Sequence, residues 1–358
     1  MYSPLNILRL QKSKIVEVNL NRIDGEWNIT SQNPLIVYGI PDTMIRLWEY
    51  MPDIDIMINS LRWRWPKPKV LRVWVDSGGY QIMIKGLKID LRDLIIKYRA
   101  LDADIYISLD IPPKQLCSIE KQQLMENIKN FETLYTKLED KKIVPVVHCY
   151  DCSSMLEVID IYKRYNIDII AFGGVVPPTL AKNGKGCRIA PILALAIVSK
   201  AFKKKIHTLG VGGTSTMYNV LKILDVYSLD SSSWRTKAAY GKVIIPGYGE
   251  RYVGNGKASF GRKDLSNDDR EALFKALATT KFPYMENIDE MLSTFRGRAI
   301  INAWIVRHFI NTISEYNGFA WLIEYTKNIK NRNISELCEH HDRLIFKLKL
   351  LSTKNLNL

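Results

Sequence analysis

The sequence predicts an α/β protein, a (β/α)8 TIM barrel over residues 1–250 followed by a helical C-terminal region over 251–358. Three observations carry that expectation. Short β-rich runs recur along the chain, each followed by a turn containing Gly, Pro or Asp and then by a stretch with helical spacing. The runs are apolar almost without interruption, as in IVPVV, DIIAF and KVIIP, which fits parallel strands buried on both faces. Carboxylates, glycines and a histidine then gather just beyond the runs, at the end where barrels of this kind carry their chemistry.

In chain order the runs are 35–39, 72–75, 105–109, 143–147, 167–172, 206–211, 226–229 and 243–245. Helices are expected at 115–138, 153–165 and 190–203, and another after 206–211, with Thr214 or Ser215 as its N-cap before Met217, Val220 and Leu221. Eight such units in about 250 residues match the size of a closed barrel, with a doubly wound open sheet as the alternative. Beyond Arg251 the pattern changes. A glycine-rich stretch at 247–261 reads as a loop, and 268–277, 288–313 and 335–350 carry apolar residues at helical spacing without strand signals.

Composition narrows the classes. The chain has 358 residues, 47% of them hydrophobic, enough for a large core, and no low-complexity stretch. Asn6, Arg9, Gln11 and Lys12 interrupt the opening segment, so no signal peptide is read. No apolar run reaches about 18 residues, so no membrane span is read either, and a cytoplasmic location is expected. The net charge of +14 favours an acidic partner, with nucleic acid the commonest. Arg62, Arg64, Lys67, Lys69 and Arg72 alternate with Trp63 and Trp65, a pairing suited to phosphate contact and base stacking. No G-x-G-x-x-G or P-loop is present, so no nucleotide cofactor is expected.

The five cysteines do not form a secreted disulfide framework. Cys149 and Cys152 make a C-x-x-C beside His148, but no second pair completes a ligand set of about four, so no metal is expected. Cys149 and Cys152, with the group Cys338, His340 and His341, are the residues to suspect if one is found.

The strand ends hold the chemistry. Asp76-Ser77-Gly78-Gly79-Tyr80-Gln81 follows one run, Asp110-Ile111-Pro112-Pro113 the next, then His148, Gly173-Gly174, and Asp230-Ser231-Ser232-Ser233-Trp234-Arg235. Three carboxylates on three strands at one end can support acid–base and nucleophilic work. Glycine pairs let backbone approach a flat ligand, so Gly78-Gly79 and Gly173-Gly174 could wall a slot for a planar base, or could simply make tight turns.

These residues resemble the tRNA-guanine transglycosylases, the queuine and archaeosine enzymes, whose D-S-G-G-[FY]-Q motif matches Asp76 to Gln81. The resemblance covers roughly residues 35–247. It implies Asp230 as a nucleophile that holds the ribose covalently and Asp76 as general acid and base. Asp110, Ser77, Gly78, His148, Gly173 and Gly174 become the base-binding set, and Trp234, Arg235 and Lys237, with Arg62 and Arg64, the nucleic-acid contacts. The expected reaction exchanges guanine in a polynucleotide for a 7-deazaguanine base. The family's C-x-C-x-x-C…H zinc motif is missing after the last run, and a Ser-rich turn replaces its usual sequence after the nucleophile. Both departures look more like the divergent branch, found in phages and mobile elements, that modifies DNA. DNA is therefore favoured slightly over tRNA as the partner, and a homodimer is left open. The alternatives are a non-catalytic nucleic-acid-binding subunit of such an enzyme, a two-carboxylate glycoside hydrolase, and a metabolic barrel enzyme acting on a small phosphorylated substrate.

Overall fold

The computed structural model describes residues 6–11, 14–19, 33–79, 86, 89–113, 117–118, 120–174, 185–211, 213–253, 262–312 and 318–354. By internal contacts the chain forms two compact units, one of residues 33–232 with 318–358 and one of 1–32 with 233–317.

The first unit is the expected barrel. Its parallel strands are β1 (Leu35–Ile40), β2 (Asp55–Asn59), β3 (Arg72–Asp76), β4 (Ile105–Ile107), β5 in two pieces (Ile143–Val144 and Val146–His148), β6 (Ile169–Gly173), β7 (Lys205–Thr208) and β8 (Ser228–Ser231). Hydrogen bonding runs from the first piece of β5 through β4, β3, β2, β1, β8, β7 and β6 to the second piece of β5. The two pieces are consecutive in the chain and separated only by Pro145, which has no N–H to give a ladder, so the sheet closes on itself. Helices α1 (Leu91–Ala100), α2 (Lys121–Lys137), α3 (Cys152–Tyr162), α4 (Lys185–Phe202) and α5 (Ser215–Ile223) follow β3 to β7. Their starts are written in the sequence: Asp90 accepts from Arg92 N at 2.8 Å, Asp151 from Ser154 N at 3.0 Å and Thr214 from Met217 N at 3.3 Å. Between β1 and β2 there is only a 3-10 turn, Leu47–Glu49, in place of a helix. Helices α10 (Ala320–Lys330) and α11 (Ile334–Lys354) belong to this unit, and α11 packs along α4 and α3. Lys330 ties α10 to Asp225 at 2.9 Å.

One expected strand is replaced by another. Residues 243–245 are not in the barrel; β9 (Lys242–Ile245) pairs antiparallel with β10 (Gly249–Tyr252) in the second unit. The barrel position falls to β2, whose sequence DIMIN carries polar residues at both ends and so reads weakly as an apolar run, although all five of its residues are buried. Asp230 is therefore the penultimate residue of the eighth barrel strand, and Asp76 ends the third.

The second unit also contains the antiparallel strands Asn6–Gln11 and Lys14–Asn19 and the helices α6 (Ser233–Ala239), α7 (Asn267–Thr279), α8 (Ile288–Ser293) and α9 (Phe295–Phe309). The single helix expected at 288–313 is broken at Thr294, whose hydroxyl caps α9 by accepting from Gly297 N at 3.1 Å. Asn302 on α9 clamps this unit, donating to Trp234 O and Lys242 O at 3.1 Å each and accepting from Ile244 N at 2.8 Å.

The barrel interior is filled rather than hollow. Val37, Met57, Trp74, Ile105, Ile107, Val144, Val146, Ile169 and Ala171 form one buried cluster drawn from six strands. At its base Asp55, 1% exposed, accepts from Trp74 Nε1 at 2.9 Å and lies 2.9 Å from Arg72 Nε. Asp55→Ala would leave a buried indole N–H and a half-buried guanidinium without their acceptor. We expect it to cost about 2–3 kcal/mol in urea unfolding. Unchanged stability would show that Asp55 does not anchor the tryptophan.

Candidate functional site

Side chains alternate across a strand, so residues two apart share a face. Met57, Trp74, Val146 and Ala171 face the barrel interior. Asn59, Asp76, His148 and Gly173, each two residues further along its own strand, share that face at its carboxyl end. Ser228 and Asp230 are likewise two apart on β8. The candidate site is thus the top layer of the barrel filling, at the end where the sequence located it.

Two carboxylates dominate this layer. Asp76 accepts from Asn59 Nδ2 at 2.9 Å, and Asp230 accepts from Gly210 N at 2.6 Å. Burial pushes Asp76 up to about 6, the charge of Asp110 adding to the shift while hydrogen bonds from the Gly78 backbone and Asn59 oppose it. Burial pushes Asp230 up to about 7; the Gly210 N–H opposes this and the charge of Asp76 adds to it. The Asp230 side chain keeps 18% exposure, so it is desolvated but reachable. Beneath Asp230 lies His207, fully buried, with Nδ1 2.9 Å from Ser228 Oγ and Nε2 3.7 Å from Asp230 Oδ1. Its ring stacks on Trp74 at 4.7 Å, and burial lowers it to about 3, so it stays neutral.

A second pair forms the wall. His148 Nε2 lies 3.1 Å from Asp110 Oδ2, and Ser77 Oγ donates to Asp110 Oδ1 at 3.2 Å. Asn127 on α2 holds the segment behind Asp110, accepting from Ile111 N at 2.7 Å and donating to Ile111 O at 3.1 Å. Ser60 braces the Asp76 turn, its N–H donating to Asp76 O at 3.0 Å and its hydroxyl to Ser77 O at 3.1 Å. Asp76, Ser77, Gly78, Asp110, His148, Gly173, Gly174 and Asp230 thus all belong to one end of one barrel. Tyr80 and Gln81 of the motif, and Gly212, lie outside the described residues.

One glycine of each pair is packed tightly against the site's side chains. A Cβ on Gly79 would lie 2.3 Å from Asp110 O and 2.8 Å from its Oδ1; one on Gly174, at φ +72°, would lie 2.7 Å from Pro113 Cδ and 2.9 Å from His148 Nδ1. The space beside Gly79 and Gly174 is taken by Asp110, His148 and Pro113, so these two glycines let those residues close against the backbone.

The residues expected from the sequence to contact nucleic acid divide. Arg62 and Arg64 are exposed, with Trp65, on the segment that leaves β2 just beyond Asn59. Arg64 donates to Trp63 O at 2.8 Å and Leu61 O at 2.9 Å, and Trp63 is buried against Trp65 and Trp48. Trp234, Arg235 and Lys237 belong to the second unit. Trp234 is 1% exposed, a core residue with no face to offer a base. Arg235 lies over the Phe295 ring at 5.3 Å, and Lys237 pairs with Glu250 at 3.1 Å. The Ser-rich turn suggested exposed residues, but Trp234 opens a helix and packs inward.

Sequence reasoning missed Asn59, Asn127 and His207. Asn59 was hidden with its strand. His207 had a signal, a lone histidine inside an apolar run.

Both carboxylates have folded-state values above the ordinary unfolded value of about 3.9, so their contribution to stability is full below that value and is lost as pH rises through about 6 and 7. Asp230→Asn removes one charge that must be held away from water. The variant should melt above wild type at about pH 8, by on the order of 2 kcal/mol, and level with it near pH 4. Parallel melting curves at both pH values would rule out the desolvated pair.

No family model matches the chain. It is 32% identical over 281 residues to a protein of Sulfolobus islandicus rod-shaped virus 1 described as uncharacterized protein 306, across 76% of this chain and 81% of that one. At that identity and coverage, the chain belongs to the family of this viral protein.

Proposed function

We propose that the protein is a transglycosylase that exchanges guanine in a polynucleotide for a 7-deazaguanine base. The observation that carries this reading is the pair of desolvated, electrostatically coupled carboxylates, Asp76 and Asp230, set beside the Asp110–His148 wall. Near neutrality the coupled pair carries about one proton, which suits a reaction needing one acid and one nucleophile.

The Asp230 carboxylate attacks C1′ of the nucleotide, and the bond from C1′ to the base nitrogen breaks. Asp76 delivers the proton that the departing guanine takes. The incoming base returns a proton to Asp76 and attacks C1′ in turn, displacing Asp230 and restoring the polynucleotide. Bound guanine covers Asp76 from water and, with Asp110 adjacent, favours the proton on Asp76, leaving Asp230 ionised. Asp110 accepts from the guanine N1–H and amino group, donors that a carboxylate matches. The Gly210 N–H holds Asp230, and neutral His207 lies 3.7 Å from it without neutralising it. The target base must leave its stack to reach a barrel mouth. Exposed Arg62, Arg64 and Trp65 suit the strand beside it. DNA is favoured slightly over tRNA: the family's zinc motif is missing after the last strand, and the relative belongs to a virus, in keeping with the phage-borne DNA branch.

Radiolabelled guanine offered with tRNA and with duplex DNA in parallel tests the reading. Label retained on DNA, lost in Asp230→Asn together with any covalent protein–polynucleotide adduct, is the expected result. Label in tRNA alone would reverse the substrate preference, and label in neither would reject the exchange. Binding should also weaken steeply with salt, and replacing Arg62 and Arg64 together by alanine should lower the log–log salt slope by about 2. An unchanged slope would remove that segment from the interface.

A further inference from the structure

Four of the five cysteines, which look scattered in the sequence, converge in the barrel unit. Cys117 follows Asp110 by seven residues, Cys149 directly follows His148, Cys152 opens α3, and Cys338 lies on α11. Their sulfurs are paired, Cys117 with Cys149 and Cys152 with Cys338, at Cα separations of 4.5 and 5.3 Å. A fifth group joins them. His341, one helical turn beyond Cys338, is wholly buried, and its Nε2 lies 3.8 Å from Cys149 Sγ. Its Nδ1 lies 3.3 Å from Asp342 Oδ1, an atom that also accepts from Cys152 N at 3.0 Å.

Two cystines require four sulfurs and nothing more. They do not account for a buried imidazole with one nitrogen aimed at sulfur and the other braced by a carboxylate. That arrangement is how metal-binding histidines are held, the carboxylate fixing the ring so that Nε2 faces the ion. The Cys149 Sγ–His341 Nε2 separation of 3.8 Å fits too, while the Cys117 and Cys149 sulfurs, bonded to each other, part on reduction. Zinc bonds of about 2.3 Å to sulfur and 2.0 Å to nitrogen put tetrahedral ligand atoms about 3.5–3.8 Å apart. The ligand atoms of Cys117, Cys149 and His341 all lie within 4.8 Å of one another, and all three residues are buried. C-x-x-C at 149–152 and C-x-x-H at 338–341 are both spacings at which zinc is commonly gripped.

We propose that, with its cysteines reduced, this cluster is a structural zinc site. Cys117, Cys149 and His341 supply three ligands, and one sulfur of the neighbouring Cys152–Cys338 pair supplies the fourth. Each cysteine ligand releases its thiol proton on binding, and His341 binds neutral. The site pins α11 to the segments after β4 and β5, immediately behind Asp110 and His148. Its ligands come from three separate stretches of chain, unlike the clustered motif missing after the last strand.

The test uses full-length protein purified without a histidine tag, anaerobically and in reductant, with metal measured by elemental analysis and thiols counted in denaturant. About one zinc per chain surviving dialysis is expected, with thiolate-to-metal charge-transfer absorption after cobalt replacement. Cys117→Ser and His341→Ala should each lower zinc retention by about tenfold or more, while Cys187→Ser keeps it. Wild-type protein with less than about a tenth of a zinc per chain would overturn the proposal, whether its thiols are free or paired as cystines. Full zinc retention in both His341→Ala and Cys117→Ser would overturn it as well. The wild-type measurement decides the matter even where a variant fails to fold.

Discussion

The packing of one side chain, Trp74, organises the barrel unit from base to mouth. Its indole fills the interior, its Nε1 donates to Asp55 below at 2.9 Å, and its face carries His207 above at 4.7 Å. The whole side chain is excluded from water. Because β3 is a strand, fixing Trp74 inward also fixes Asp76 inward, one layer higher. Because Trp74 supports His207, and His207 contacts Ser228 and approaches Asp230, the position of the second carboxylate is set from the same platform. A barrel floor made only of aliphatic groups would fill the volume without relating β3 to β7 and β8 so directly.

That platform also fixes the electrostatics. Carboxylates above a dry aromatic layer lose hydration on one side, and the neighbouring acid raises each further. An imidazolium beneath Asp230 would reverse this by pairing with it. Burial keeps His207 neutral instead, so the histidine positions without supplying charge. The two carboxylates therefore stay poised near neutrality, at a cost to the stability of the folded chain that the packed interior offsets.

Much of this was legible in the sequence, for physical reasons. Buried parallel strands are apolar throughout, so seven of the eight are plain as apolar runs, and residues following a strand fall at its carboxyl end whatever their number. Asp76, Asp110, His148 and Asp230 could be located on that basis. Local pattern cannot show which apolar run joins which sheet. The run at 243–245 is as apolar as a barrel strand but pairs with Gly249–Tyr252, while DIMIN was disguised by Asp55 and Asn59 at its ends. Exposure was equally invisible: Trp234 next to serines and a basic residue reads as surface, yet Asn302 grips its carbonyl in a packed core. Cys117 and Cys149 meet within the barrel strands' own loops, but Cys338 and His341 reach Cys152 and Cys149 only through the docking of α11.

The proposed exchange would divide its tasks between floor and wall. Asp76, Asp230 and His207 sit on β3, β8 and β7 above the tryptophan, where the proposed reaction would need its carboxylates at fixed positions. Asp110 and His148 follow β4 and β5, held by Asn127, Ser77 and the backbone of glycines that leave no room for a β-carbon. In the proposed exchange the floor would act on the sugar, which is the same for every base, and the wall on the base, which is not. Residues of the wall could then diverge to admit a different base while the floor keeps its geometry. Two ligands of the cysteine–histidine cluster, Cys117 and Cys149, follow Asp110 and His148 in the chain. In the proposed exchange the cluster's bracing would bear on which base is held, and the carboxylate pair on how fast the sugar reacts.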